Sequence, residues 1–271
     1  MKNTIKVFWN IAIIAIFTLS MTNCFNQSLN SPVALKEYLD KQPANSQDKP
    51  IKITMTINNP MFMNVAEVIK STGKYVSLNI SSNILTAIPN EAFYDKHGCE
   101  TLVSINIPNS VTSIGNKAFC FCTSLTSISI PNGITEIKEE TFESCTNLTS
   151  VTIPDSVTSI EYGAFKGCKS LTNITIPNSI TEIDREAFTG CYNLSSIIIP
   201  DSVTKIDMYA FLWSGLISVT FQGNITSNNL EGYSAYKQGD AFPGDLRKKY
   251  LASGIGTYTR PSKDIYTWTK Q

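Results

Sequence analysis

Histidine is almost missing from this 271-residue chain, which has only His97. Imidazole is the usual general base near neutral pH, so its scarcity removes the commonest acid–base chemistry. An excess of charge is missing too. The 22 basic and 22 acidic side chains balance, leaving no basic face for nucleic acid and no polybasic run for an anionic membrane. No G-x-S-x-G, H-E-x-x-H, Walker or acidic calcium-loop pattern occurs. Gly254-Ile255-Gly256 is half a dinucleotide fingerprint without a third glycine or a βα context. Adjacent carboxylates such as Glu139-Glu140 and Asp184/Glu186 read as solvated turn surface. His97 stands in "YDKHGC", two residues from Cys99. A Cys–His nucleophile or metal pair can be drawn there, against a plain loop histidine beside a buried core cysteine. The expectation is a non-enzymatic chain with no cofactor, no metal and no nucleic-acid partner.

Long apolar runs are scarce as well. The exception is "VFWNIAIIAIFTL" (Val7–Leu19), preceded by Lys2 and Lys6. It has the length of a signal-peptide apolar region and is short for crossing a bilayer. "SMTNC" follows and ends at Cys24. That arrangement resembles a bacterial lipobox in the looser form of spirochaete lipoproteins, because Met21 and Asn23 depart from the strict pattern. The resemblance implies a signal peptide over 1–23 and acylation of Cys24. It also implies export, with a lipid anchor in the bacterial envelope, at the outer membrane or cell surface. Such anchoring needs more than one acyl chain. An uncleaved anchor, or a secretory signal with an incidental cysteine, are the alternatives.

What the chain has in abundance is repetition. Cys99, Cys122, Cys145, Cys168 and Cys191 are each 23 residues apart. Leu102, Leu125, Leu148, Leu171 and Leu194 keep the same step, as do Phe119, Phe142, Phe165, Phe188 and Phe211. Ile-Pro recurs at 107–108, 130–131, 153–154, 176–177 and 199–200. In "LTSISIP", Ile128 and Ile130 alternate with Ser127 and Ser129, a half-buried strand that Pro131 ends. Asn132-Gly133 turns the chain, and "EETF" is expected to be a short helical or 3₁₀ turn that delivers Phe142 inward. One such unit cannot bury its own apolar face, so copies must stack.

The line "LTSVTIPDSVTSIEYGAFKGC" resembles the BspA-like surface-antigen class of leucine-rich repeat, closely over residues 99–221. A degenerate row, Tyr75–Cys99, fits with one residue inserted after Ile80 and three near His97. The resemblance implies an α/β-type solenoid: a right-handed superhelix of 23-residue repeats, each a short strand plus a short helical or 3₁₀ turn. The organisation expected is a lipidated N-terminus with a short helix and linker over 24–50 and an N-terminal cap over 51–74. The repeat array then covers 75–221 and a C-terminal cap 222–271. The C-terminal piece resembles the tail of spirochaete family members.

With catalysis set aside, the candidate site is the concave face made by outward strand residues. These are Ser104 and Asn106, Ser127 and Ser129, Ser150 and Thr152, Asn173 and Thr175, and Ser196 and Ile198. They are either plain soluble strand residues or a broad, shallow protein-binding face. Larger candidates sit on the convex turns: Phe121, Tyr162, Tyr192, Tyr209 and Trp213. A threonine column (Thr112, Thr135, Thr158, Thr181, Thr204) resembles ice-binding solenoids but is expected beside turns rather than on a sheet. The ladder cysteines, pointing one way from equivalent core positions, are expected as reduced thiols. Cys120, off the ladder, is either the one candidate for an exposed reactive thiol or an incidental residue. Two functions remain open. One is a monomeric surface lipoprotein binding a protein ligand, which the resemblance places among host matrix or cell-surface proteins. The other is a periplasmic scaffold of the same fold. Replacing Cys24 tests the anchor. Cys24→Ser should abolish metabolic palmitate labelling and leave an unprocessed or released protein; labelling that persists would contradict lipidation.

Overall fold

The computed structural model describes residues 29–94, 99–230 and 240–271. The chain opens with α1 (Pro32–Asp40), β1 (Ile51–Met55) and α2 (Asn59–Ser71). Both helices begin at a side-chain cap. Ser31 Oγ accepts from Ala34 N–H and Asn58 Oδ1 from Met61 N–H, with a proline in each first turn.

The chain then coils, and each coil supplies two strands. They are β2 (Val76–Ile80) and β3 (Ala87–Ile88), β4 (Leu102–Asn106) and β5 (Ser113–Ile114), and β6 (Ser127–Ser129) and β7 (Glu136–Ile137). The later pairs are β8 (Ser150–Thr152) and β9 (Ser159–Ile160), β10 (Asn173–Ile174) and β11 (Glu182–Ile183), and β12 (Ser196–Ile199) and β13 (Lys205–Ile206). After β14 (Ser218–Phe221) the described chain forms α3 (Leu246–Ser253), β15 (Gly256–Thr259) and β16 (Thr269–Lys270).

The first strands form a parallel sheet in the order β1-β2-β4-β6-β8-β10. Like meets like across it: Ser127 lies opposite Ser150, Ile128 opposite Val151, and Ser150 opposite Asn173. The degenerate row joins in register, with Leu78 opposite Ile105 and Ile88 opposite Ile114. The second strands make their own parallel sheet, β13-β11-β9-β7. Beyond β12 the sheet turns antiparallel, because β15 runs back along β14 and β16 pairs with β15.

The third side of each coil departs from the expected helical turn. It is a run of turns with left-handed residues at Lys117, Glu140, Gly163, Glu186 and Tyr209, and again at Phe121, Ser144, Gly167, Gly190 and Trp213. A helix would satisfy its amides internally. Here only alternate amides close turns within the coil, as Thr141 N–H does on Lys138 O and Glu143 N–H on Glu140 O. The rest go to the next coil: Phe119 N–H donates to Thr141 O (2.9 Å), Phe142 to Ala164 O (2.9 Å) and Phe165 to Ala187 O (2.8 Å). The threonine column lies beside turns, each member one residue before a second strand. Thr158 N–H donates to Thr135 O and Thr181 N–H to Thr158 O, joining neighbouring coils just ahead of the second parallel sheet. Glu136, Glu182 and Lys205 in its strands interrupt a uniform hydroxyl surface.

Seven phenylalanines run through the core as one stack. From Phe93 through Phe119, Phe142, Phe165, Phe188 and Phe211 to Phe242, neighbouring rings are within 13° of parallel with centroids 4.8–5.6 Å apart. Parallel rings that far apart are slid past one another, the arrangement the ring quadrupole favours. Phe62 and Phe221 meet the ends edge-on, at 82° and 72°. The cysteine ladder lies alongside. Cys145 Sγ donates to Phe119 O (3.1 Å), Cys168 to Phe142 O (3.1 Å) and Cys191 to Phe165 O (3.3 Å). The thiol thus stitches each coil to the aromatic rung of the coil before.

Phe165 is fully buried in mid-stack. Phe165→Ala should cost about 3–5 kcal/mol through lost burial and the cavity left behind. Ser150→Ala and Thr152→Ala, exposed on the neighbouring strand, should each stay within about 0.5 kcal/mol. Urea unfolding of the three variants checks both.

Candidate protein-interaction face

Alternation along each first strand sends apolar side chains into the stack and small polar ones out. Ser127, Ser129, Ser150, Thr152, Asn173, Thr175, Ser196, Ile198 and Asn106 are exposed, and Ser104 is half-buried. The in-register pairing aligns them in two rows. One runs Lys52, Ser77, Ser104, Ser127, Ser150, Asn173. The other begins Thr54, Asn79, Asn106, joined by side-chain hydrogen bonds: Asn106 Nδ2 donates to Asn79 Oδ1 (2.8 Å) and Asn79 Nδ2 to Thr54 Oγ1 (3.4 Å). A shallow depression of about 440 Å³ lies over β1, β2, β4 and β6.

Lys52, Thr54, Ser77 and Asn79 extend the face beyond the repeat-derived residues. Their signal was the period-two alternation in "IKITM" and "VSLNI", which the search for 23-residue copies passes over. At the far end Ser218 and Thr220 continue the rows opposite Ser196 and Ile198. Ile198, 55% exposed, is the large apolar side chain among the outward strand residues.

The turn aromatics divide. Phe121, Tyr192 and Trp213 are exposed, whereas Tyr162 and Tyr209 are half-buried. Tyr162 Oη donates to Glu186 Oε2 (3.4 Å), and Arg185 lies 5.6 Å from the Tyr209 ring. An ion-pair chain runs across these turns, with Lys117 on Glu140 (3.0 Å) and Lys166 on Glu186 (2.9 Å) and Glu143 (3.7 Å).

Cys120 is not the exposed thiol the sequence put forward. It is 1% exposed, because the turn after Phe119 folds its side chain inward to within 3.8 Å of Glu143 Oε2. Burial and the Glu143 carboxylate push its thiol up to about 12. Burial likewise pushes Cys122, Cys145 and Cys168 well up and Cys191 up to about 12. Cys145, Cys168 and Cys191 therefore serve as donors to carbonyls rather than as nucleophiles, whereas Cys99, at the start of the ladder, is lowered to about 6, chiefly by its hydrogen bond with Cys122. All six described cysteines are buried and unbridged. Cys24 and His97 lie outside the described residues.

Comparison with known proteins agrees with this architecture. Residues 56–169 and 135–235 match the BspA type leucine rich repeat region, in six copies. A leucine-rich repeat protein of Bacteroides ovatus superimposes with a TM-score of 0.52 at 27% identity. That match covers 61% of this chain and 42% of the other, so this chain spans less than half of that relative. The T. pallidum leucine-rich repeat protein superimposes with a TM-score of 0.53 at 26% identity, covering 79% of this chain and 92% of the other. No curated protein matches the chain.

Proposed function

Because this chain belongs to the BspA type leucine-rich repeat family, we propose that it is an exported monomer whose outward sheet face binds another protein. The proposal includes lipid anchoring through Cys24 at the outer membrane or cell surface, and a ligand among host matrix or cell-surface proteins. The family fold is one generally used for protein–protein interaction, and solenoids offer extended faces for it.

The observation that carries the reading is the pair of exposed hydroxyl and amide rows from Lys52 to Asn173. Each side chain in them is held by a strand whose opposite face is locked in the aromatic core. The rows therefore present donors and acceptors at the rung spacing of about 4.8 Å with little conformational freedom left to lose. Small uncharged side chains cost little to desolvate, so beyond Lys52 at one end a broad surface can be covered without unpaired charge. Lipidation is supported by the short apolar run that Cys24 closes.

Replacing Ser127, Ser150 and Asn173 together with glutamate tests the face. The three lie on adjacent strands in one row, so the carboxylates repel and lower stability somewhat. Binding to immobilised host matrix proteins, measured well below the unfolding transition, should fall by about tenfold or more. A folded triple variant that binds unchanged would remove the sheet face as the site. Protease shaving of intact cells should degrade the chain, whereas protection until lysis would favour the periplasmic scaffold.

A further inference from the structure

Where the last coil meets the C-terminal segment, the structure forms a half-open cavity of about 830 Å³, within the range of small-ligand sites. Three aromatic side chains line it yet remain largely exposed: Trp213 at 63%, Tyr266 at 62% and Tyr192 at 47%. The Tyr266 ring lies 5.9 Å from the Arg260 guanidinium, and much of its surface and of Trp213 stays open beside the cavity.

Trp213 occupies a position that is costly for it. Its φ is +54°, in the left-handed region, as is that of every residue in its column: Phe121, Ser144, Gly167 and Gly190. A bulky residue is uncommon in that conformation, and of the column's two aromatics only Trp213 stands at the cavity, Phe121 lying elsewhere on the turns.

The polar groups of the cavity point the same way. Arg260 is 4% exposed and makes no ion pair among the described residues. Its Nε donates to Leu216 O (2.6 Å) and Nη1 to Ile265 O (3.2 Å), and its guanidinium lies 5.0 Å from the Trp268 ring. Five N–H groups are available to an arginine, so donors remain. Ser214 stands where earlier coils carry a ladder cysteine, and its buried hydroxyl has no partner among the described residues. Lys248, Arg260 and Lys263 are balanced in the lining by Asp240, Asp245 and Asp264.

That balance narrows the ligand. An apolar side chain entering the cavity would strip water from both sets of charges and return no hydrogen bonds. A strongly anionic or cationic ligand would meet as much repulsion as attraction. A pyranose ring meets both demands, since its C–H face packs on an aromatic ring while its hydroxyls both donate and accept. We propose that this cavity binds a neutral oligosaccharide, with Trp213 and Tyr266 as stacking platforms and Arg260 as the buried hydrogen-bond donor. The site is separate from the sheet face and does not depend on it.

The test uses the full chain in a zwitterionic detergent that carries no sugar. Maltohexaose, cellohexaose, chitohexaose and N-acetyllactosamine are titrated while tryptophan fluorescence and calorimetric heat are followed. A hyaluronan hexasaccharide and a proline-rich decapeptide serve as anionic and peptide comparisons. At least one neutral sugar should bind saturably, and Trp213→Gly and Tyr266→Ala should each weaken it by about tenfold or more. Trp213→Gly should melt no lower than the parent, because glycine accepts the left-handed backbone without strain. That result separates lost contact from lost folding. The proposal is overturned if no neutral sugar binds at about 10 mM, if the variants bind as well as the parent, or if only the hyaluronan or the peptide binds.

Discussion

A turn amide of one coil donating to a carbonyl of the next is the contact on which this molecule depends. Because the third side of each coil is open backbone rather than helix, Phe119, Phe142 and Phe165 bond forward to Thr141, Ala164 and Ala187. Each such bond fixes the coils in one register, and the strands on the other sides can then pair only like with like. The phenylalanine stack, the thiol-to-carbonyl stitches and the outward polar rows are all consequences of that register. None of them could exist in a shifted copy, since a one-residue slip sends every strand side chain to the wrong face.

Much of this was legible before any coordinates. Landmarks repeating every 23 residues require equivalent positions to stack, and alternation in "LTSISIP" separates core from surface. The degenerate row could be aligned through Ile88 and Phe93, whose partners are Ile114 and Phe119. Other features were hidden for identifiable reasons. "EETF" has helix-compatible residues, and only the neighbouring coil's claim on its amides makes it a series of turns. The cysteines read as small hydrophobes because their hydrogen bonds reach back 26 residues to a carbonyl that no side-chain pattern reveals. Phe242 continues the stack from an Ala-Phe pair that stands beyond the 23-residue step, in a last, lengthened coil whose first strand is β14. Cys120 looked free because it belongs to no column, yet the turn holds it against Glu143.

The candidate sites divide along the same line. The sheet face follows directly from period-two alternation, and its extension into Lys52, Thr54, Ser77 and Asn79 needed only the pairing of β1 with β2. The terminal cavity did not follow from the sequence. Trp213 could be marked as an exposed turn aromatic, but Tyr266 and Arg260 come to it from an irregular segment whose path is set by packing on the last coil. The two surfaces also differ in chemistry. One is regular, shallow and uncharged but for Lys52; the other is singular, half-open and lined by rings and balanced charges. A register-locked solenoid can carry both, because neither is needed to hold the coils together.

Register itself is most directly tested by deletion within the array. Removing Val151–Asn173 excises one whole 23-residue coil and joins Ser150 to Ile174, the equivalent junction one rung on. Removing only Val151–Glu161 excises half a coil and joins a strand to a turn. Thermal unfolding of both should show the larger deletion keeping a single cooperative transition, lowered by the loss of one coil interface, and the smaller deletion losing it. A half-coil deletion that unfolds as cooperatively as the whole-coil deletion, or at a higher temperature, would contradict the claim that coil-to-coil register holds this fold.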